Sequence, residues 1–326
     1  MSGALRLRHR VLEAVRRHRM WAPGQRVVVA CSGGRDSVVL LDLLHVTQGA
    51  HQGRLEVLTV DHGQRDGSAA DAAFVVGLAE ARGLSARRVV VAPEGPSEGA
   101  LRSARQQVFE GPVGEGAVVA LGHHRRDQAE TLLLQLLRGG GVQARRAMLP
   151  SGRGRVRPLL DIAPAELAAW ARARGLSWRE DPSNHSLAPL RNRVRHQVLP
   201  LLESLRPGAE ATLARSARLA ALDEAFLDAE AARVPIHPEA LREVPEALAR
   251  RALRRRWPEL GAGQVDAVLA AARAGAGEVA IGAGRALIVS KGRVEERVVG
   301  ASGGVVTTPE VRAEASEPCR PSERAP

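Results

Sequence analysis

The sequence predicts an α/β fold, in which a parallel twisted sheet carries helices on both faces and is followed by a smaller, mainly helical domain. Short β-branched runs alternate with apolar runs of helix length through the first half of the 326-residue chain. This alternation is typical of parallel strands that are buried on both faces. From Arg206 to Arg273 the chain is rich in Ala, Leu, Glu and Arg, which predicts the helical domain.

Four strands and four helices alternate in the predicted first domain, after an amphipathic helix near the N-terminus. The strands are Arg26–Cys31, Leu55–Val60, Arg88–Ala92 and Ala117–Leu121. The helices are Asp36–Val46, Ala69–Arg82, Gly99–Phe109 and Asp127–Arg138. In such sheets, ligands bind at the carboxyl ends of the strands. Three polar clusters, SGGRDS, DHGQRD and GHHRRDQAET, follow predicted strands and are expected to converge there.

The residue pattern of the second half differs from the strand–helix alternation of the first. The segment 277–299 alternates in polarity and turns at glycines, which predicts a small hairpin. From Gly300 onward the chain has few residues to bury and is expected to be disordered. The predicted organisation is therefore an α/β domain at 1–205, a mainly helical domain with a short hairpin at 206–299 and a tail at 300–326.

Bulk composition narrows the classes of partner. The formal net charge of +11 favours a phosphate polymer as partner, although solubility alone is the alternative explanation. Cys31 and Cys319 lie far apart and form no metal or redox motif, which fits a reducing cytoplasm. No apolar run is long enough to span a bilayer, so we expect a cytoplasmic protein without a membrane partner. The sequence indicates no stable protein partner and does not decide between monomer and homodimer.

The first cluster, Ser32 to Ser37, has the composition of a phosphate-binding turn. Its glycines allow successive N–H groups to face one point, and the next helix adds its N-terminal dipole. Asp36 is a poor neighbour for phosphate unless a cation lies between them, which suggests Mg²⁺. The cluster has no Lys, so it is not a Walker loop. The structural alternative is a glycine-rich turn with Asp36 as helix N-cap.

The second and third clusters carry carboxylates and histidines. Asp61 and His62 follow the second strand; they are candidate catalytic residues, with a structural hydrogen-bonded pair as the alternative. Asp127 and Glu130 are three residues apart, so they share one face of a helix. Such a pair suits a cationic amine, although a capping box, with Asp127 as cap, explains the same spacing.

The SGGRDS segment resembles the PP-loop of the ATP pyrophosphatases, and the ordered set of motifs resembles the tRNA(Ile)-lysidine synthetase family. The matching segments are SGGRDS, VDHGQR, GHHRRDQAET, LLRGGG, RPLLDI, EDPSN and RNRVRHQVLPLL, in the family's order, from Gln25 to about Leu202. The resemblance implies that ATP adenylylates the ring carbonyl oxygen of the wobble cytidine in the isoleucine tRNA with a CAU anticodon. Free lysine then displaces AMP.

The resemblance also implies that 1–205 is a PP-loop ATP-pyrophosphatase catalytic domain and 206–299 a tRNA-binding domain, and it implies roles for particular residues. ATP and Mg²⁺ would be held by Ser32, Gly33, Gly34, Arg35, Asp36 and Ser37, with Asp36 on the metal. Asp61 and His62 would lie near the adenylylation site, and Asp127 and Glu130 would recognise the amines of lysine. The substrate junction would be lined by Arg191, Asn192, Arg195 and His196. The alternative for this last group is a solvated basic helix face.

Three departures from the family pattern accompany these matches. Arg126 stands where the family usually has a second Asp, so no metal role carries over to it. Val108 and Phe109 replace the family's Arg-Tyr pair, and the chain has room for one helical domain but not for the further domain of longer members. The competing functions are another PP-loop RNA-modifying enzyme, such as a thiolase, an amide synthetase, or a non-catalytic RNA-binding relative.

Overall fold

The computed structural model describes residues 3–61, 63, 68–91, 98–139, 141–180, 186–299 and 305–306. The strands are β1 (Arg26–Ala30), β2 (Arg54–Asp61), β3 (Ala86–Val90), β4 (Val118–Ala120), β5 (Ser151–Gly152), β6 (Arg155–Val156), β7 (Gly277–Gly282), β8 (Arg285–Ser290), β9 (Arg293–Val299) and β10 (Val305–Val306). The first helices are α1 (Gly3–Arg17), α2 (Arg35–Val46), α3 (Gln48–His51), α4 (Ser68–Glu80), α5 (Glu98–Gly114), α6 (Arg125–Leu137) and α7 (Pro164–Ala173). They are followed by α8 (Leu190–Arg193), α9 (Leu199–Leu205), α10 (Ala209–Ala231), α11 (Pro238–Glu243), α12 (Glu246–Arg256) and α13 (Ala262–Ala274). A 3₁₀ turn spans Val142–Arg146, and a π-helical turn, Val194–Val198, joins α8 to α9.

The first sheet has six strands in the order β3-β2-β1-β4-β6-β5, parallel except for β5, which pairs antiparallel with β6. From β1 the chain adds β2 and β3 on one side and then returns to place β4 on the other. This reversal of direction opens a crevice at the carboxyl ends of β1 and β4, where open α/β sheets bind ligands. The predicted fold class is confirmed.

Alternation along β1 explains why helices cover both faces. Val27 and Val29 are fully buried in one apolar core, which also contains side chains of α1, α2, α4 and α7. Val28 points the other way, into a second core with Phe109 of α5. Because successive strand residues face opposite sides, a continuous apolar run is what a doubly covered strand requires.

A buried carboxylate joins α2 to α7 below the predicted phosphate loop. Asp42 accepts hydrogen bonds from Trp170 Nε1 at 3.0 Å, Arg174 Nε at 3.1 Å and Arg82 Nη2 at 3.1 Å. These donors compensate a carboxylate that is 1 % exposed, as burial of a charge demands. The network fixes the helix whose first turn carries the candidate site.

The chain divides into two compact units, one ending at Glu224 and one beginning at Ala225. The division falls inside α10, later in the chain than the predicted boundary at 205. In the second unit, α11, α12 and α13 enclose an apolar core with β7, β8 and β9, which contains Trp257, Leu253 and Leu287. None of the helices in the described part of the chain has the length and apolar character needed to cross a membrane.

Two local predictions are corrected by the strands. The predicted small hairpin is wrong, because 277–299 forms three antiparallel strands and β10 adds a fourth. The chain turns twice there, at Ala283-Gly284 and at Gly292, all with positive φ, and each turn starts a new strand. Val305 and Val306 of the predicted tail form β10, and 300–304 and 307–326 lie outside the described residues.

Candidate active site

The loop between β1 and α2 is a tight turn that its own serines close. Gly33 has a φ of 82°, which glycine adopts without steric cost. Ser37 donates from Oγ to the carbonyl oxygen of Gly34 at 2.8 Å and accepts from the N–H of Ser32 at 3.2 Å. Gly34, not Asp36, is the N-cap, so the alternative role for Asp36 as a cap is wrong.

The end of β4 lies directly against this loop. A methyl group placed on Gly122 would lie 3.2 Å from the backbone carbon and oxygen of Asp36 and 3.2 Å from Cα of Ser37. Glycine permits this approach without strain, whereas a side chain would require the backbone of α2 to shift by a few tenths of an ångström. The position of Gly122 therefore sets how closely the first turn of α2 can lie to the β4 end.

His124, which was not among the predicted site residues, connects two of them. Its Nε2 lies 3.3 Å from Asp36 Oδ2, and its Nδ1 lies 3.4 Å from Asp127 Oδ2. Burial raises the pKa of Asp36, but His124 and Arg35 lower it by more, so the net change is downward. Burial lowers the pKa of His124, but Asp36, Asp127 and Glu130 raise it above its usual value. The imidazole ring thus lies between two carboxylates. Its position directly after β4 is the feature of the sequence that could have identified it.

The two candidate amine-binding carboxylates are bound by the two candidate arginines. Arg191 donates from Nε to Glu130 Oε2 and from Nη2 to Asp127 Oδ1, both at 2.8 Å. Arg195 donates to both oxygens of Glu130, at 2.6 and 2.9 Å, and to Asp127 Oδ1 at 3.3 Å. Glu130 is fully buried. The sequence predicted these four residues for the site, and the structure brings them together in one ion-pair cluster.

Asp127 has a structural role as well. Its Oδ2 accepts the backbone N–H of His124, the N-cap of α6, at 2.9 Å. A capping box is therefore present, but Asp127 is its third helical residue rather than its cap, and Glu130 takes no part. Burial raises the pKa of Asp127, while His124, His123 and Arg191 lower it, to about 2.

The other predicted residues occupy less central positions. Asp61 accepts the N–H of Gly63 at 2.9 Å and a hydrogen bond from Arg88 Nη2 at 2.6 Å, so its carboxylate has partners within the protein. Asn192 donates to the carbonyl oxygen of Ser186 at 2.8 Å, and His196 is exposed. His62 lies outside the described residues.

Arg126, the departure from the family pattern, has a defined partner. It donates from Nε to Glu210 Oε2 at 2.9 Å, and its neighbour Arg125 donates to Glu210 Oε1 at 3.2 Å. Glu210 is buried at the start of α10. Both arginines thus tie the beginning of α6 to α10, and Arg126 has the contacts of a structural residue.

The family model that matches this chain is that of the PP-loop domain, over residues 6–202. The match contains the loop, His124 and the carboxylate–arginine cluster. A tRNA(Ile)-lysidine synthase from Thermosynechococcus vestitus is 40 % identical over 257 residues, which cover 76 % of this chain and 74 % of that protein. The chain belongs to the tRNA(Ile)-lysidine synthase family of PP-loop proteins. The predicted resemblance is therefore confirmed.

Other comparisons define the extent of this relationship. A tRNA(Ile)-lysidine synthase from Geobacter sulfurreducens is 43 % identical over 222 residues, which are 64 % of this chain but 47 % of that protein. The chain thus matches about half the length of that relative. Among solved structures, the U34-tRNA thiolase NcsA from Methanococcus maripaludis, with its [4Fe-4S] cluster, aligns with a TM-score of 0.57 and 21 % identity. That alignment covers 67 % of this chain and 80 % of the thiolase, and it supports the fold alone.

Proposed function

We propose that this chain uses ATP to ligate lysine to the wobble cytidine of the isoleucine tRNA that has a CAU anticodon. In the first step the ring carbonyl oxygen of cytosine attacks the α-phosphorus of ATP, and pyrophosphate leaves. In the second step the ε-amine of lysine attacks the activated ring carbon. AMP then leaves with the former carbonyl oxygen, and the amine loses its proton.

The observation that carries this proposal is the position of a carboxylate cluster beside a phosphate loop. His124 lies within 3.4 Å of both Asp36, in the loop, and Asp127, in the cluster. A nucleotide held at the loop and an amine held at Asp127 and Glu130 would therefore be neighbours. The base must react first with the nucleotide through its carbonyl oxygen and then with the amine through its ring carbon, so the reaction needs this proximity.

Asp36 fits the Mg²⁺ that the resemblance implies. Mg²⁺ prefers oxygen ligands and is usually held by one or two carboxylates together with substrate phosphates. The Asp36 side chain is 30 % exposed, and its lowered pKa keeps it ionised at neutral pH. Bound there, the ion would neutralise phosphate charge. Within the described ranges no three acidic, His or Cys side chains form a group that would hold a metal.

The thiolase alternative has less support from the residues. Thiolation needs a reactive sulfur carrier, whereas Cys31 is 2 % exposed, with its Sγ 3.6 Å from Ser37 Oγ. Burial raises the pKa of Cys31, so its thiol stays protonated and weakly nucleophilic. Cys319 lies outside the described residues.

Mass spectrometry of the tRNA product tests the function. The full chain is incubated with the CAU isoleucine tRNA, lysine and ATP labelled at the α-phosphorus. We expect the anticodon fragment to gain the mass of lysine less water, and the label to appear in free AMP. A gain of sulfur mass with a sulfur donor would favour the thiolase, and unchanged RNA with intact binding would favour a non-catalytic relative.

A further inference from the structure

The amine pocket of this chain is already filled by cations of its own. Five hydrogen bonds join Arg191 and Arg195 to Asp127 and Glu130, and both carboxylate oxygens of Glu130 are used. A lysine ammonium that approaches Glu130 finds both oxygens bonded to guanidinium N–H groups. Three of the roughly four acceptor sites of this carboxylate are used, so a close ion pair with the ammonium requires a guanidinium to move.

The charge balance of the cluster leads to the same conclusion. The two carboxylates are balanced by the two guanidinium groups, and the neighbouring Asp36 is paired with Arg35 at 3.0 Å. Glu130 is fully buried, and Asp127 is 8 % exposed. An added ammonium would leave an uncompensated positive charge in a poorly solvated place, which is costly. The pocket therefore accepts an amine only when a guanidinium group leaves.

A phosphate group is the natural new partner for that guanidinium. Guanidinium binds phosphate oxygens through paired N–H donors, with the same geometry that it uses for carboxylates. Burial lowers the pKa of Arg195, but Glu130, Asp127 and Asp36 raise it above its usual value. Arg195 also contacts Asp127 at 3.3 Å, and His124 joins Asp127 to Asp36 in the first turn of α2 through distances of 3.4 and 3.3 Å. This short chain of contacts places Arg195 close to a nucleotide bound at the loop.

The helical segment that carries Arg191 and Arg195 contains a π-helical turn. Arg191 lies on α8 and Arg195 on the π-helical turn Val194–Val198 that follows it without a break. Four residues apart, both side chains reach the same carboxylates from one face. Single π-helical turns are rare and occur frequently at functional sites.

We propose that Arg191 and Arg195 form an arginine latch, which occupies the amine pocket until the phosphates of a nucleotide draw the guanidinium groups away. The inference rests on the proposed function in taking ATP and lysine as the ligands. The latch makes nucleotide and lysine binding cooperative. By linkage, each ligand raises the affinity of the other by the same factor, which we expect to be about tenfold or more.

Equilibrium dialysis of labelled lysine against the full chain tests the latch without requiring catalysis. The nucleotide probe is α,β-methylene ATP with Mg²⁺, since its α–β bridge resists cleavage. In the unsubstituted protein the analogue should increase lysine affinity about tenfold. In Arg195→Met, lysine should bind about tenfold more tightly without nucleotide, and the analogue should then have little effect.

Arg193→Met is the matched control. Arg193 is exposed on the same helix, between the two latch residues, and its guanidinium lies outside the cluster. This variant loses the same charge and should keep the full effect of the analogue. Arg195→Lys is the second variant in case Arg195→Met does not fold. It keeps the compensating charge but loses the paired donors. The increase in lysine affinity caused by the analogue should therefore be smaller than in the unsubstituted protein and larger than in Arg195→Met.

The outcomes separate the latch from the proposed function. If lysine binds the unsubstituted protein equally well with and without the analogue, the latch is refuted, and lysine remains a ligand. If Arg195→Met or Arg195→Lys weakens lysine binding in both conditions, Arg195 holds the amino acid instead of excluding it. If lysine binds to no form of the protein, lysine is not the substrate, and the latch fails with the proposed function.

Discussion

Replacement of Gly122 by Ala should displace the phosphate loop, because Gly122 at the end of β4 packs against the backbone of the first turn of α2. The added methyl carbon would lie 3.2 Å from three backbone atoms of Asp36 and Ser37. Backbone atoms cannot rotate away, so the first turn of α2 must move by a few tenths of an ångström. Overpacking of this kind costs about 1–3 kcal/mol of stability. Since a misplacement of about 1 Å can slow a reaction about 10²-fold, this smaller shift should slow pyrophosphate release about tenfold.

The assay follows pyrophosphate release with tRNA, ATP and lysine, together with thermal unfolding. Gly111→Ala is the control, because Gly111 lies in α5 with no atom within 4 Å of the added methyl group. Ala is favoured over Gly in a helix by about 1 kcal/mol, so this variant should be at least as stable and equally active. If Gly122→Ala matched the unsubstituted protein in rate and stability, the argument that the β4 end holds the loop in position would be wrong.

Four further variants have expected outcomes. Asp36→Ala should abolish pyrophosphate release and leave tRNA retention on filters unchanged; equal turnover would exclude the carboxylate from catalysis. Glu130→Gln should raise the KM for lysine more than the KM for ATP, and the reverse order would mean that the pocket does not hold the amine. The pKa of Asp61 is lowered to about 2 by Gly63 and Arg88, among other donors, so its stabilising effect is present at neutral pH and is lost as pH falls towards 2. Asp61→Asn should therefore cost about 2 kcal/mol at pH 7 and flatten acid unfolding between about pH 4 and 2; an unchanged curve contradicts this. Joint replacement of Arg254 and Arg255 by Gln should reduce the slope of log affinity for tRNA against log salt by about 1–2, and an unchanged slope would remove them from the RNA contact.

The sheet and its loops could be predicted because local sequence determines them. The strand Arg26–Ala30 is an apolar run long enough for burial on both faces, and a glycine pair stops it where the chain must turn. Strand bounds differ from the prediction by a few residues at most. The two-residue strands β5 and β6 could not be predicted, since they are too short for any periodicity to appear.

Contacts between residues that are far apart in the chain could not be predicted from the sequence. Arg126 and Glu210 are separated by 84 positions, so nothing in the local pattern indicates that they pair. The same holds for Arg191 and Glu130, which are 61 positions apart. The family resemblance assigned both Arg191 and Glu130 to the site, but only the fold shows that they form an ion pair.

A basic sequence therefore does not by itself identify a phosphate-binding surface. In α12, Arg250 is neutralised by Glu246 and Asp266, so its charge is largely satisfied within the protein. Arg254 and Arg255, one turn further along, are exposed at the C-terminal end of the helix, where cations are stabilised by the helix dipole. Both side chains are accessible, and residues 251–257 around them contain no acidic side chain. The net charge of +11 becomes informative about RNA only after the paired arginines are set aside, and Arg254 and Arg255 are the exposed pair whose contact with a phosphate backbone the salt dependence tests.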